Sequence, residues 1–166
     1  RRQASDVYKR QMLRSAHMLG NEEEIIFTAT DLLADTKLAP ELSNEAHYYR
    51  AKAYLDAGKT DGAMEDLKIL AKDTRNVYGA EAKYKVAQIY FDGGQTDKAE
   101  QEVLNYIEVS TPHTYWLARS FVLLADVYMK LGRNLDAKQY LLSLKQNYQA
   151  DDDIAGMIES LSLIHI

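Results

Sequence analysis

A small set of residues recurs along this chain at nearly constant spacing, and this recurrence constrains the fold more than any other feature. Tyrosine occurs at Tyr54, Tyr90 and Tyr128, whose sequence numbers differ by 36 and then by 38. The same offsets relate three glycines, with Gly20 as a further candidate, and two sets of alanines. The glycines are Gly58, Gly94 and Gly132, and the alanines are Ala51, Ala87 and Ala125, then Ala63, Ala99 and Ala137. A fixed period of this length indicates a solenoid in which one supersecondary unit stacks on copies of itself.

Each period is predicted to hold two helices, an A helix and a B helix, joined by a tight turn. In the last copy, apolar residues from Phe121 to Tyr128 recur at i, i+3, i+4 and i+7, which is one face of a helix. Gly132 follows where that helix should end, because glycine accepts the left-handed conformation. The small alanines would let the two helices approach closely, and the tyrosine would fill the wedge beside them. The predicted N-caps of the B helices are Thr60, Thr96 and Asn134.

The spacing of small residue, tyrosine, glycine and alanine resembles the tetratricopeptide repeat. The resemblance covers roughly Met12 to Tyr148, about three full repeats and one truncated repeat. It implies an all-α fold, an α-solenoid of antiparallel helix pairs in a right-handed superhelix, with about three to four repeats. The chain departs from the family pattern because it lacks the closing proline and because His47, Lys83 and Phe121 stand at the early aromatic position in place of tryptophan.

The repeat domain is predicted to span residues 12–160. Thr111, Pro112 and His113 form the clearest interruption, because proline cannot continue a helix. Three consecutive glutamates from Glu22 and three consecutive aspartates from Asp151 are each expected at the start of a helix, not in a metal site. The predicted repeats are 12–40, 41–77, 78–112 and 113–148, followed by a final helix at 151–160.

The two ends of the chain are related through their coding DNA. Residues 161–166 can be written as CTG TCT CTT ATA CAC ATC, and the reverse complement of this DNA encodes residues 6–11. The shared DNA resembles a transposon end that serves as a sequencing-library adaptor. We therefore expect residues 1–11 and 161–166 to be non-native segments, and residues 12–160 to be a fragment of a longer bacterial protein.

Composition and motifs disfavour most classes of enzyme and several classes of partner. The net charge is −5 without basic clusters, which argues against nucleic acid as a partner. The chain has no cysteine, no two histidines at helical metal-site spacing and no phosphate-binding glycine loop. No apolar run is long enough to span a membrane. We expect no enzyme activity, cofactor, metal or membrane insertion in these residues.

The resemblance implies that the A helices line the concave surface of the solenoid and bind a partner there. An aromatic and apolar strip with polar neighbours suits a peptide, because anchors then stand among orienting hydrogen bonds. The alternative is that these residues pack against the chain's own next turn or last helix. From the register of the A helices, Glu45, Glu81 and Arg119 are also expected to be exposed. The implied partner-binding residues are Tyr48, Lys52, Leu55, Tyr84, Gln88, Phe91, Val122, Asp126 and Met129.

The sequence favours a non-enzymatic scaffold that binds a protein or peptide of unknown identity. The alternative is a peptide-sensing regulatory module that controls a DNA-binding or catalytic domain outside these residues. A truncated solenoid also exposes apolar end faces, so self-association through the ends is a further expectation. The expected location is the bacterial cytoplasm or the cell envelope.

Overall fold

The computed structural model describes residues 2–109 and 111–165, and the side chains of residues 4–109 and 111–162. Residues 1, 110 and 166 lie outside the described residues. They belong to the predicted segments 1–11, 78–112 and 161–166, respectively. The described residues form nine α-helices and no strand, so the prediction of an all-α fold is confirmed. The helices are α1 (Arg2–Met18), α2 (Glu22–Leu33), α3 (Pro40–Asp56), α4 (Thr60–Leu70), α5 (Val77–Asp92), α6 (Thr96–Glu108), α7 (Thr114–Lys130), α8 (Asn134–Asn147) and α9 (Ile154–His165).

The chain divides into two compact units, Arg1–Lys72 and Asp73–Ile166. In the first unit, α2 packs on α3, α3 packs on α4, and α1 packs on both α2 and α3. In the second unit, α5 pairs with α6 and α7 pairs with α8, while α7 also packs on α5 and α6. Helix α9 packs on α7 and α8. Consecutive helices therefore form the A and B pairs that the period predicts.

A glycine with positive φ closes the first helix of every pair. The φ angles are +67° at Gly20, +74° at Gly58, +78° at Gly94 and +77° at Gly132. Around Gly58, the following backbone N–H donates to the carbonyl of Tyr54 at 2.7 Å, and the N–H of Gly58 donates to the carbonyl three residues before it. This double hydrogen bond is the Schellman motif, and it recurs after the other three glycines. The predicted turns, including the one at Gly20, are confirmed.

The predicted N-caps of the B helices are wrong by one residue. Thr60, Thr96 and Asn134 are the first helical residues, and the residue before each of them is the N-cap. The turn is so short that the residue after the glycine serves both helices. Its N–H completes the Schellman motif, and its carbonyl accepts the first bond of the B helix, as from the N–H of Ala63 at 3.2 Å. Side-chain caps are found instead at Asn21 before α2 and at Asn76 before α5.

The repeated small residues lie where the paired helices meet. Ala63, Ala99 and Ala137 are almost completely buried, which confirms the predicted close approach. Tyr54 occupies the wedge beside the turn, because a Cβ added at Gly62 would lie 3.1 Å from its ring. Each unit has its own apolar core, centred on α1, α2 and α3 in the first unit and on α7 in the second.

The remaining helix boundaries mostly follow local sequence. Pro40 is the first residue of α3, and Pro112 lies in the break between α6 and α7, as predicted. Helix α1 begins at Arg2, well ahead of Met12, so it runs through the segment that the DNA relation assigns to an adaptor; that assignment remains a prediction. No described helix is both long and apolar enough to cross a membrane.

Candidate functional site

Five of the six binding residues predicted in the second unit line one cavity. The cavity has a volume of about 330 Å³ and lies between α5, α7 and α9. We call it the A-helix cavity. The sixth residue, Met129, is half-buried on α7 and does not line it. The five residues that do are Tyr84, Gln88, Phe91, Val122 and Asp126.

Helix α9 supplies the third wall of the A-helix cavity. Met157, Ser160 and Leu161 face the residues of α5 and α7 across it. Helix α9 packs on α7 and α8 of the last repeat. The A-helix face is partly packed against the chain's own last helix, and the cavity is the part of that face which stays open.

Two of the predicted residues are buried, which corrects the expectation that they face solvent. Tyr84 is 5% exposed and Val122 is 8% exposed. The ring of Tyr84 lies 5.7 Å from that of Trp116, and Arg119 donates to the Tyr84 hydroxyl at 3.1 Å. The guanidinium of Arg119 also stacks 4.9 Å from the Tyr84 ring centre. The neighbouring A helix therefore covers Tyr84, and the helical register of α5 alone could not show this.

The rim of the A-helix cavity is acidic and its floor is apolar. Burial raises the pKa of Tyr84, Arg119 opposes this increase, and the nearby carboxylates of Asp92 and Asp126 add to it. Both carboxylates line the cavity. Val122 and the adjacent Leu123 are buried beneath them. The cavity can therefore accept an apolar side chain next to a positively charged group.

A chain of polar contacts holds the start of α9 against α7. Arg119 donates to the hydroxyl of Tyr115 at 3.3 Å, and that hydroxyl donates to Asp153 at 2.8 Å. The side chain of Asp152 accepts the N–H of Ile154 at 2.9 Å and caps α9. The aspartates thus lie at the start of α9, as predicted. Among the described residues, no three His, Cys, Asp or Glu side chains are grouped so that they could hold a metal ion.

In the first unit, the predicted residues Tyr48, Lys52 and Leu55 are half-buried on α3. The ammonium of Lys52 lies 4.7 Å from the centre of the Tyr48 ring, a cation–π contact. Glu45 is buried, contrary to the exposure expected from its register. Its carboxylate lies 2.6 Å from the Nε atom of Arg14 on α1.

A buried ionic cluster joins α3 to α4 in the same unit. Asp66 is 1% exposed and contacts His47 Nδ1 at 2.7 Å. Arg50 donates to both oxygens of Asp66, at 2.9 and 2.7 Å. Burial raises the pKa of Asp66, but the hydrogen bonds from His47 and Arg50 outweigh burial, so the pKa lies below its ordinary value of 3.8. His47 is therefore a hydrogen-bonded residue of the interface between α3 and α4.

The two later repeats place different chemistry at the positions equivalent to His47 and Asp66. Lys83 Nζ lies 2.9 Å from Glu102 in the third repeat. The rings of Phe121 and Tyr140 lie 5.8 Å apart in the fourth. All three pairs have the same sequence separation, with one partner on the A helix and the other on the B helix. This constant separation could have predicted the pairs from the sequence. The pairs were missed because the prediction considered positions on the A helices alone.

The comparisons with known proteins agree with this architecture. Residues 45–73 and residues 118–147 each match a family model described as tetratricopeptide repeat. The first match covers the α3–α4 pair of the first unit, and the second covers the α7–α8 pair of the second unit. No curated protein matches the chain. Repeats of this family generally mediate protein–protein interactions. The described residues thus form helix pairs, two of which match the tetratricopeptide repeat.

Proposed function

We propose that this chain is a non-enzymatic interaction scaffold that binds a peptide segment of a protein partner in the A-helix cavity. One observation carries the proposal. Gln88, Phe91 and Asp126 come from two different helices, and they open into one cavity with an apolar floor. Its volume of about 330 Å³ is near the lower end of the roughly 300–1,000 Å³ that is typical of ligand sites. The cavity thus has room for one or two side chains of a peptide.

The charges of the cavity point to a particular kind of peptide. Asp92 and Asp126 line the cavity, and Arg119, which also lines it, contacts Tyr84 and Tyr115. The chain as a whole has a net charge of −5, which favours approach of a cation. A peptide with a bulky apolar residue next to Lys or Arg therefore fits best.

The half-buried residues of α3 would offer a second surface of the same class. Tyr48 and Leu55 provide apolar contact area, and Lys52 provides a positive charge. In this proposal the first unit contributes binding area of its own through these residues.

The test is a selection of random 12-residue peptides displayed on phage against the immobilised chain. We expect enriched peptides that place an apolar residue beside Lys or Arg. Synthetic copies should bind the Asp126→Asn variant at least about fivefold more weakly than the unchanged chain, because a rim charge is lost. Phe91→Ala should weaken binding by a similar factor, because an apolar wall is removed.

The matched control is Asp97→Asn, the same substitution at a residue of α6 outside the cavity. This variant should bind like the unchanged chain. Circular dichroism of every variant would verify that helix content is retained. If no peptide is enriched, or if the peptides bind Asp126→Asn and Phe91→Ala as well as the control, the proposal is wrong.

A further inference from the structure

Helix α2 of the first unit carries an exposed phenylalanine beside an open cavity. Phe27 is 72% exposed, although large apolar side chains are usually buried. The cavity has a volume of about 560 Å³, and all the residues that line it belong to the first unit. We call this surface the α2 patch. The lining residues used below are Glu23, Phe27, Thr30, Asp31, Ala34 and Lys59.

The other repeats show that repeat packing does not cover the position of Phe27. Phe27 lies seven residues after Gly20, the glycine that closes α1. The residues seven after the other three turn glycines are Glu65, Gln101 and Gln139, and all three are polar and exposed. Glu65 and Gln139 follow another helix pair of their own unit, whereas Gln101 precedes one. Further repeats of the same array would therefore leave Phe27 exposed.

The space beside Phe27 is also particular to the first repeat. Thr30 and Ala34 follow Phe27 by three and seven residues, so the three side chains share one face of α2. At both of these positions the other repeats carry longer side chains, which are Lys68, Leu104 and Leu142 and then Lys72, Glu108 and Gln146. A large exposed ring next to two small residues offers the ridge and the groove that helix–helix packing uses.

The charges of α2 define the chemistry that a partner needs. The helix contains four acidic residues and no basic residue. Two of them, Glu23 and Asp31, line the α2 patch one turn before and one turn after Phe27. Lys59 adds one positive charge to the lining. Carboxylates are therefore in excess, and they flank the phenylalanine along the helix, which favours cationic side chains on both sides of an apolar one.

An existing contact leaves Asp31 available to a partner. Lys9 Nζ lies 3.4 Å from the carboxylate of Asp31, whose side chain is 58% exposed. Ion pairs between exposed side chains are weak, so this pair does not prevent a second cation from approaching. Lys9 also belongs to the segment that the DNA relation assigns to an adaptor.

We propose that the α2 patch is a docking site for a helix of a protein partner that carries a basic, an apolar and a basic residue at i, i+4 and i+8. The apolar residue packs beside Phe27, and the basic residues face Glu23 and Asp31, which lie about 12 Å apart along the axis of α2. A second copy of the chain does not fit through its own α2 patch, because the same two carboxylates would then face each other.

This site is independent of the proposed peptide site in the second unit. The α2 patch and the A-helix cavity share none of their lining residues. Variants of one surface should therefore leave binding at the other unchanged, and the two proposals can fail separately.

The probes are three fluorescent peptides of about 20 residues, built on alanine and glutamine so that they form helices. The first carries Lys, Leu and Lys at i, i+4 and i+8, the second carries Glu, Leu and Glu, and the third carries Lys, Ala and Lys. We expect the first peptide to bind the full chain at least about tenfold more tightly than either of the others in fluorescence anisotropy. The second peptide opposes like charges, and the third lacks the apolar contact.

Phe27→Gln should weaken binding of the first peptide at least about fivefold, because it removes the apolar contact. The variant should fold, since glutamine is the residue at the equivalent position of the third and fourth repeats. The matched control is Leu135→Gln, which removes a side chain of similar exposure, 71%, from α8 and should bind normally.

The charged residues have a matched pair of their own. Glu23→Gln should weaken binding of the first peptide, because one flanking carboxylate is lost. Asp97→Asn, at the equivalent position of α6, should leave binding unchanged.

Three results would overturn the proposal. The first is equal affinity for the three peptides, or no binding of the first. The second is unchanged binding of the first peptide to Phe27→Gln together with weaker binding to Phe91→Ala, which would place the peptide in the A-helix cavity. The third is a dimer in light scattering that Phe27→Gln dissociates, which would identify the occupant as a second copy of the chain.

Discussion

Asp66 shows how strongly a single buried charge can depend on its partners. Its carboxylate is 1% exposed and accepts hydrogen bonds from Arg50 and His47. We expect Asp66→Asn to lower the free energy of unfolding by about 3 kcal/mol, the lower end for breaking a buried ion pair. Urea unfolding would measure the change. The neighbouring and exposed Glu65→Gln should change stability by less than about 0.5 kcal/mol.

The contribution of Asp66 should also depend on pH in a defined direction. Its pKa is lower in the folded chain than its ordinary value of 3.8, so the unfolded chain binds this proton more readily. The stabilisation is therefore fully present above that value and is lost as the pH falls through the lowered folded-state pKa. The stability difference between the unchanged chain and Asp66→Asn should shrink from about pH 5 to about pH 2. A constant difference over this range would contradict the assigned ionic contacts.

Substitutions at two glycines test whether the turns require glycine because of its backbone conformation. Gly94 has a φ of +78° and Gly156 lies in α9, and a Cβ would meet no atom within 4 Å at either position. Gly94→Ala should therefore destabilise by roughly 1–2 kcal/mol through backbone strain alone. Gly156→Ala should stabilise by up to about 1 kcal/mol, because alanine loses less entropy in a helix. Thermal unfolding followed by circular dichroism would compare them, and changes of the same sign would contradict this account.

At the scale of helices, the His47–Asp66 pair and its counterparts in the later repeats each join an A helix to its own B helix. In the third repeat the pair is Lys83 and Glu102, and both side chains are largely shielded from solvent. A double-mutant cycle with alanine at each position should give a coupling energy of about 1 kcal/mol. The control cycle is the pair Glu81–Lys85 within α5, for which about 0.3–0.5 kcal/mol is expected. Equal coupling in both cycles would contradict the expectation that the pair between helices is stronger than the pair within α5.

The burial of Tyr84 makes the two equivalent A-helix tyrosines behave differently. Tyr84→Glu should cost several kcal/mol, roughly 3–5, because it removes a packed ring and buries a charge beside Trp116. Tyr48→Glu should cost much less, about 1 kcal/mol, because Tyr48 is only half-buried. Urea unfolding of the two single variants would measure both. Similar small losses of stability in both variants would indicate that Tyr84 faces solvent, as its helical register predicts.

The sequence predicts features that depend on one turn or on one fixed offset. The four glycine turns and the buried alanines are of this kind, because a tight turn or a close helix contact tolerates few residue types. The N-caps were misplaced by one residue because the Schellman turn feeds directly into the next helix. The burial of Val122 depends on neighbouring helices, which the register of α7 alone does not reveal.

At the scale of the whole molecule, each unit contains one segment that matches the tetratricopeptide repeat. The central proposal is that the second unit binds a peptide in the cavity between two A helices and α9. Part of the lining of that cavity could be predicted from the sequence, since Gln88 and Asp126 follow from the repeat register. The contribution of Met157 could not, because it depends on how α9 packs against α7.

The most direct test is an NMR titration of the ¹⁵N-labelled chain with the peptide that the selection enriches most. We expect the largest shifts of backbone amides at Gln88, Phe91 and Asp126, together with Met157 across the A-helix cavity. Shifts confined to other surfaces, with these four amides unchanged, would contradict the proposed binding site.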